Sequence, residues 1–197
     1  MQRSELHELC YITPIANVPS ILRVGIVSHR RSLEINHVSV AMQEMQDRRS
    51  RVAVPPGGKK LHDYANLYIC ARNPMLCKRQ NQHADLCVLS IQTGVLDLPG
   101  IVITDCNASS EYVRFAAAPE GLSIVDRDMT FADDWNDPNR IQYFRKKSAK
   151  CAEVLVPDCV PPEFITGAYV SCREALNRLS ALNTRISVTI NGHLFFR

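Results

Sequence analysis

The run Cys151-Ala152-Glu153-Val154-Leu155-Val156 has the composition of a β-strand and contains one residue that fits it poorly. Strand alternation puts Ala152, Val154 and Val156 on one apolar face, leaving Glu153 with Cys151 and Leu155 on the other. A carboxylate among apolar neighbours is costly to desolvate unless it is hydrogen-bonded or faces a cleft. The plainer reading of the same six residues is a solvent-facing glutamate on a half-exposed strand. Similar β-prone runs occur at 9–13, ended by Pro14, and at 66–71, 86–91, 101–104 and 165–170. Two more, 186–190 and 193–196, flank Asn191-Gly192, a strong hairpin signal.

Helical signals are interspersed with these strands. Asn17 is an N-cap candidate, with Pro19 tolerated in the first turn and Gly25 as a stop. Residues 39–49 are rich in helix formers and lead into Arg48, Arg49 and Arg51, and Pro55-Pro56-Gly57-Gly58 then forces a turn. A third helix is expected over 172–182. The stretch 105–150 shows little periodicity; its middle is acidic and its end basic. Segments this long without periodic pattern inside a compact domain are usually functional or disordered. No internal repeat or linker is visible. The expectation is a single α+β domain over 1–197 rather than regular βαβ alternation.

Composition bounds the function. With 197 residues, 46% of them apolar and 22% charged, the chain can bury a sizeable core, which excludes a disordered protein. No apolar stretch approaches the ~20 residues that cross a bilayer. The opening Met1-Gln2-Arg3-Ser4-Glu5-Leu6-His7-Glu8 is polar, so neither an export signal nor an anchor is expected there. The eight cysteines lack the close pairing of a zinc site, and several lie in apolar runs. They read as reduced and mostly buried, in the cytoplasm. A formal charge of +3 argues against uniform coating by nucleic acid but leaves room for a local basic groove. GxxxxGK[ST], GxGxxG, HExxH and GxSxG are all missing, and no metal site is expected.

Two further clusters carry possible chemistry. Arg48, Arg49 and Arg51 could grip phosphates bidentately, or could simply be the solvated end of a helix. Residues 140–150 interleave Tyr143 and Phe144 with cations, a mixture suited to a nucleic-acid strand, although such stretches are often plain surface.

Taken in order, four blocks resemble the DarT family of toxin ADP-ribosyltransferases. They are Tyr11-Ile12-Thr13 through Asn17 and Ile21-Leu22 to Gly25; Met45-Gln46-Asp47-Arg48-Arg49-Ser50-Arg51 with Val54-Pro55-Pro56-Gly57-Gly58; Leu61-His62-Asp63-Tyr64-Ala65-Asn66-Leu67-Tyr68 with Arg72-Asn73-Pro74-Met75-Leu76; and Ala152-Glu153-Val154-Leu155-Val156. The resemblance implies an ADP-ribosyltransferase fold, a split and mostly antiparallel β core with surrounding helices. It also implies transfer of ADP-ribose from NAD, without a metal, onto a base of single-stranded DNA.

The resemblance further implies Arg49 and Glu153 as catalytic residues. Tyr11, Ile12, Thr13, Ser20, Ser28 and Arg49 would contact NAD. Segment 33–51 would cover it, and 107–153 would present the acceptor, with Asn107, Tyr143, Arg145, Lys146 and Lys147 on the DNA. A de-ADP-ribosylating antitoxin is the implied partner. Many relatives have His where Tyr11 stands, and some have it near Asn107, so thymine and guanine both stay open as targets. In this reading, cleaving the nicotinamide–ribose bond creates an oxocarbenium-like centre that a nearby carboxylate stabilises. An RNA or protein acceptor is the second reading; a nucleic-acid-binding module without catalysis is the third.

Overall fold

The computed structural model describes residues 1–39, 42–55 and 58–197. Its strands are β1 (Leu9–Pro14), β2 (Ile26–Val27), β3 (Tyr64–Tyr68), β4 (Leu86–Ile91), β5 (Val102–Thr104), β6 (Phe115–Ala117), β7 (Glu153–Pro157), β8 (Cys159–Val160), β9 (Ile165–Val170) and β10 (Ser187–Ile190). Its helices are α1 (Val18–Val24), α2 (His29–Ser32), α3 (Gln43–Arg51), α4 (Pro74–Cys77), α5 (Arg127–Phe131), α6 (Arg140–Ala149) and α7 (Arg173–Ser180). Eight strands form one sheet in the order β10-β9-β4-β1-β3-β7-β5-β6, and β2 pairs with β8 beside it. Every neighbouring pair is antiparallel except β9–β10. This is the expected α+β class.

The sheet has a seam. β1 and β4 pair along their whole length, from Leu9 opposite Ile91 to Pro14 opposite Leu86. β3 and β7 do the same, from Tyr64 opposite Pro157 to Tyr68 opposite Glu153. Between β1 and β3, however, a single position pairs, Cys10 opposite Tyr68. The sheet is thus two four-stranded halves that part along β1, and the split expected of the core lies here.

Both faces of the central strands are covered, which explains their near-continuous apolar runs. Leu67, Leu89, Val154 and Val156 enter the main core under α1 (Val18, Ile21) and α7 (Ala175, Leu179). Each such side chain stabilises by about 1.5–3 kcal/mol when fully buried. The opposite face carries two smaller clusters, one around Ile12, Tyr68 and Val88 and one around Leu61, Tyr64 and Leu155. Alternation puts Glu153 on that second face, next to Tyr68 across the β3–β7 pairing.

Several local expectations change. The helix expected over 39–49 begins at Gln43; Val40 and Ala41, and Pro56 and Gly57 of the expected turn, lie outside the described residues. Asn17 precedes α1 but makes no capping hydrogen bond. Its side chain donates to Thr13 Oγ1 and the Val38 carbonyl and accepts from the Val38 N–H, tying the two sides of the coming cavity together. Gly25 ends α1 at φ +86°, where an added Cβ would stand 2.3 Å from the Val160 carbonyl oxygen.

The hairpin expected at Asn191-Gly192 is not formed. Gly192 sits at φ −61°, whereas a type I′ turn needs positive φ. The chain turns instead into a 3-10 segment, His193–Phe195, that buries Phe195, and β10 runs parallel to β9. The aperiodic stretch 105–150 contains β6, α5 and α6. β6 and α5 are too short to show a period, and α6 is exposed or half-exposed along most of its length, burying Ala149; the helix starts are set by caps, Asp126 accepting from the Met129 N–H, and Asn139 from those of Ile141 and Gln142. Lys150, fully buried, donates to the carbonyls of Thr130 and Ala132 and so ties the end of α6 to the end of α5.

All eight cysteines are free; Cys10, Cys70, Cys87 and Cys106 are buried and the others partly so. Among the described residues no helix is long and apolar enough to cross a membrane.

Candidate active site

Three arginines close α3, and helix geometry sorts them. Arg48 and Arg51, three residues apart, share a face, while Arg49 is turned about 100° away from Arg48. Arg48 pairs in the open with Glu44 at 2.6 Å. Arg49 is buried. Its Nη1 and Nη2 donate to Glu153 Oε1 and Oε2 at 3.1 and 3.0 Å, a bidentate pair spanning 104 residues of sequence. The Ala108 N–H donates to the same Oε1 at 3.2 Å. Thr104 Oγ1 accepts from the Glu153 N–H at 3.2 Å and fixes the start of β7.

Glu153 is fully buried, so of its two sequence readings the solvent-facing one is excluded. Burial pulls the Arg49 guanidinium pKa down, and the facing Glu153 carboxylate more than offsets this, leaving it above its ordinary value. Burial pushes the Tyr11 phenol up to about 12. Burial, then Glu153, raise Tyr68 as well. Both hydroxyls therefore remain donors near neutral pH.

Arg49 closes one side of a cavity of about 600 Å3 that opens along the seam between β1 and β3. Tyr11, Ile12 and Thr13 of β1 line it, with Tyr64, Asn66 and Tyr68 of β3 opposite. The segment after α2 supplies Ile35, His37 and Val38, and α3 supplies Met45 and Gln46. α4, capped by the buried Asn73 through the Met75 and Leu76 N–H groups, brings Pro74 and Met75 to the wall. Arg49, Lys78 and Arg79 line the cavity and no carboxylate does, so its surface favours an anion.

Two atoms in this wall point to a ligand. Gln46 Oε1 and His62 Nε2 are buried without a hydrogen-bond partner, a costly state that a polar ligand would relieve. The His62 ring packs on His29 at 4.1 Å, tilted by 43°. Burial lowers both imidazoles, followed by the charges of His37 and Arg49 for His29 and of His29 and Arg49 for His62, so the neutral form is favoured at both. Cationic and carrying unspent polar groups, the cavity fits the dinucleotide that the sequence resemblance implies.

Most of the expected residues meet here. Tyr11, Ile12, Thr13, Ser20, Arg49 and Asn107 all line the cavity, and Glu153 lies directly behind Arg49. Ser28 does not; it is buried as the N-cap of α2, accepting from the Arg31 N–H, and supports the position of His29. Tyr143, Arg145, Lys146 and Lys147 lie on α6, outside this cavity. Lys146 pairs with Asp137 at 2.9 Å, and Lys147 donates to the Tyr143 hydroxyl at 3.2 Å. Sequence reasoning missed Gln46 and His62. Gln46 stands one helical turn before Arg49, and His62 is in the third of the four blocks, so both carried a signal.

The profile of a family described as "ssDNA thymidine ADP-ribosyltransferase, DarT" matches residues 10–196. A DNA ADP-ribosyl transferase–DNA ADP-ribosyl glycohydrolase fusion protein from Thermosipho africanus is 34% identical over 203 residues, covering 96% of this chain and 49% of that protein. The chain thus spans about half the length of this curated relative. The solved structure of Thermus sp. 2.9 DarT in complex with ADP-ribosylated ssDNA is similar at a TM-score of 0.81 and 27% identity, covering 98% of each chain. The structure of that protein in complex with NAD+ gives a TM-score of 0.77 at 26% identity, covering 96% of this chain and 98% of that one.

Proposed function

This chain belongs to the DarT family, and from that premise we propose that it transfers ADP-ribose from NAD onto a base of single-stranded DNA, releasing nicotinamide and acting as a toxin. The observation that carries this reading is the buried, bidentate Arg49–Glu153 pair beside a cavity lined by cations and no carboxylate.

NAD supplies a nicotinamide–ribose bond whose breaking develops positive charge on the ribose. Glu153 provides the compensating negative charge and accepts from ribose hydroxyls. Its oxygens are preoriented by two guanidinium N–H groups and the Ala108 N–H, so little reorganisation is needed at the moment of reaction. Arg49 holds that carboxylate, anchors a phosphate and assists proton removal from the base. Tyr11, Ile12, Thr13 and Ser20 hold the nicotinamide end. Segment 33–51 covers the dinucleotide, with Gln46 and His62 as its further polar contacts, and 107–153 presents the acceptor base. The acceptor named in the family description is thymidine; Tyr11 and Asn107, both in the cavity wall, are the positions that would set base choice. A de-ADP-ribosylating antitoxin is the partner this reading implies, consistent with the glycohydrolase in the name of the Thermosipho relative.

The test is intact mass spectrometry of thymine-containing and guanine-containing single-stranded oligonucleotides incubated with the protein and NAD. An added ADP-ribose mass on one set establishes the activity and the base. NAD consumption with no oligonucleotide adduct would overturn the DNA acceptor in favour of RNA or protein.

Two more results are expected. Gln46→Leu removes one polar contact to NAD and should raise its KM about tenfold with kcat little changed, as steady-state kinetics would show. The α6 cations form an outer DNA contact. Lys146→Glu with Lys147→Glu should weaken oligonucleotide binding and flatten its salt dependence by about 0.7 per lost phosphate contact. Titrations at several salt concentrations that match the wild type would remove α6 from the interface.

A further inference from the structure

A second, open cavity of about 610 Å3 is lined by Arg48, Arg51, Ser109, Ser110, Glu111 and Tyr112. It takes the arginines that helix geometry turns away from Glu153, and it faces them across the loop joining β5 to β6. That loop is built rather than slack. At its base the Asp105 carboxylate accepts from the Arg114 backbone N–H at 2.9 Å and from its Nε at 2.7 Å. Inside it, Asn107 Oδ1 accepts from the Ser109 N–H at 2.9 Å and its hydroxyl at 2.6 Å. The neighbouring Ala108 N–H is the one that holds Glu153. One short loop therefore touches the reacting pair on one side and floors this groove on the other.

The groove has the two elements a single strand needs, cations for its backbone and a ring for its bases. Tyr112 is 87% exposed at the loop tip. An aromatic left in water on an ordered loop is a ready stacking platform. Among the described residues, Arg48 is engaged by an exposed pair with Glu44, which a phosphate can displace at little cost. Among the described residues that line the groove, Glu111 is the one carboxylate, against two guanidiniums.

We propose that this groove, rather than the α6 surface alone, grips the acceptor strand: Arg48 and Arg51 hold phosphates flanking the modified nucleotide, and Tyr112 stacks a neighbouring base. The inference rests on the DNA-modifying reading above and adds the register of the strand. The acceptor base reaches Glu153 past Ala108, with its backbone held one loop-width away.

The test is anisotropy titration of the full chain with a fluorescein-labelled single-stranded DNA of about 12 nucleotides, within the range such grooves span. Arg48→Gln with Arg51→Gln should bind at least tenfold more weakly, with the slope of log affinity against log salt reduced by about 1.4, or 0.7 for each lost phosphate contact. Arg48→Lys with Arg51→Lys should keep that slope, which damage to the fold would not. Tyr112→Ala should lose about tenfold in affinity with the slope unchanged. Wild-type affinity and slope in the glutamine and alanine variants would overturn the proposal, as would tighter wild-type binding of an RNA of the same sequence. If the wild type also leaves DNA unmodified in the presence of NAD, the functional reading fails; if it modifies DNA while the groove variants bind normally, only the groove fails.

Discussion

Glu153→Gln is expected to slow ADP-ribose transfer about 10³-fold, the scale on which removal of one preoriented electrostatic group acts. The substitution keeps shape and volume, so the effect reports charge. It also turns an amide NH2 toward a guanidinium that can only donate, at a site with no water-exposed surface to absorb the mismatch. NAD affinity should change much less than the rate, because the proposed stabilisation grows as the bond breaks. Single-turnover rates beside calorimetric NAD titration separate the two quantities. A rate within tenfold of the wild type would remove Glu153 from the chemistry.

Arg49→Ala should abolish transfer too, but its larger signature is in folding. Removing the arginine leaves a fully buried carboxylate with the Ala108 N–H as its remaining named donor. Breaking a buried pair in this way costs about 3–5 kcal/mol, a large part of the stability of an ordinary domain. Arg49→Leu combined with Glu153→Leu removes both charges at once and should recover most of that loss, since an apolar replacement of a buried pair is often neutral or stabilising. The rescued protein would be stable and inactive. Denaturant unfolding of the single and double variants gives the comparison; a double variant no more stable than Arg49→Ala would show that the pair is not what the site's stability depends on.

Much of this was legible in the sequence, for identifiable reasons. The bounds of β4 and β9 are legible to the residue: β4 is an almost wholly apolar run between Asp85 and Gln92, and β9 is a β-prone run ended by Ser171. β7 was visible, and so was the oddity of Glu153 in it. The partner of Glu153 was not legible from residue chemistry: Arg49 lies 104 residues away and looked like the solvated end of a helix. Only the resemblance of four blocks to a known family joined the two. The failures were local geometry overruled by context. Asn191-Gly192 has the residues of a type I′ turn, but burial of Phe195 draws the chain into a 3-10 turn instead. The elements within 105–150 are held by caps and by the buried Lys150, which leave no periodic trace. Arg48 and Arg51 read as either a phosphate grip or a solvated helix end, and no sequence pattern marks Tyr112; only the fold, by facing the β5–β6 loop to α3, brings the three together.

The long separation between Arg49 and Glu153 has a consequence for how the protein is made. Strands β1, β3, β4 and β5 fall on alternate sides of the seam, so neither half of the sheet is a continuous piece of chain. On the ribosome, Arg49 emerges before β7 and must wait for it, and β7 itself pairs with β3 and β5 on either side. A chain arrested anywhere before that point carries the arginine and much of the NAD wall but no carboxylate to set against it. On the proposed function, products of translation interrupted before β7 would therefore be inert, and activity could begin only once that strand has been made.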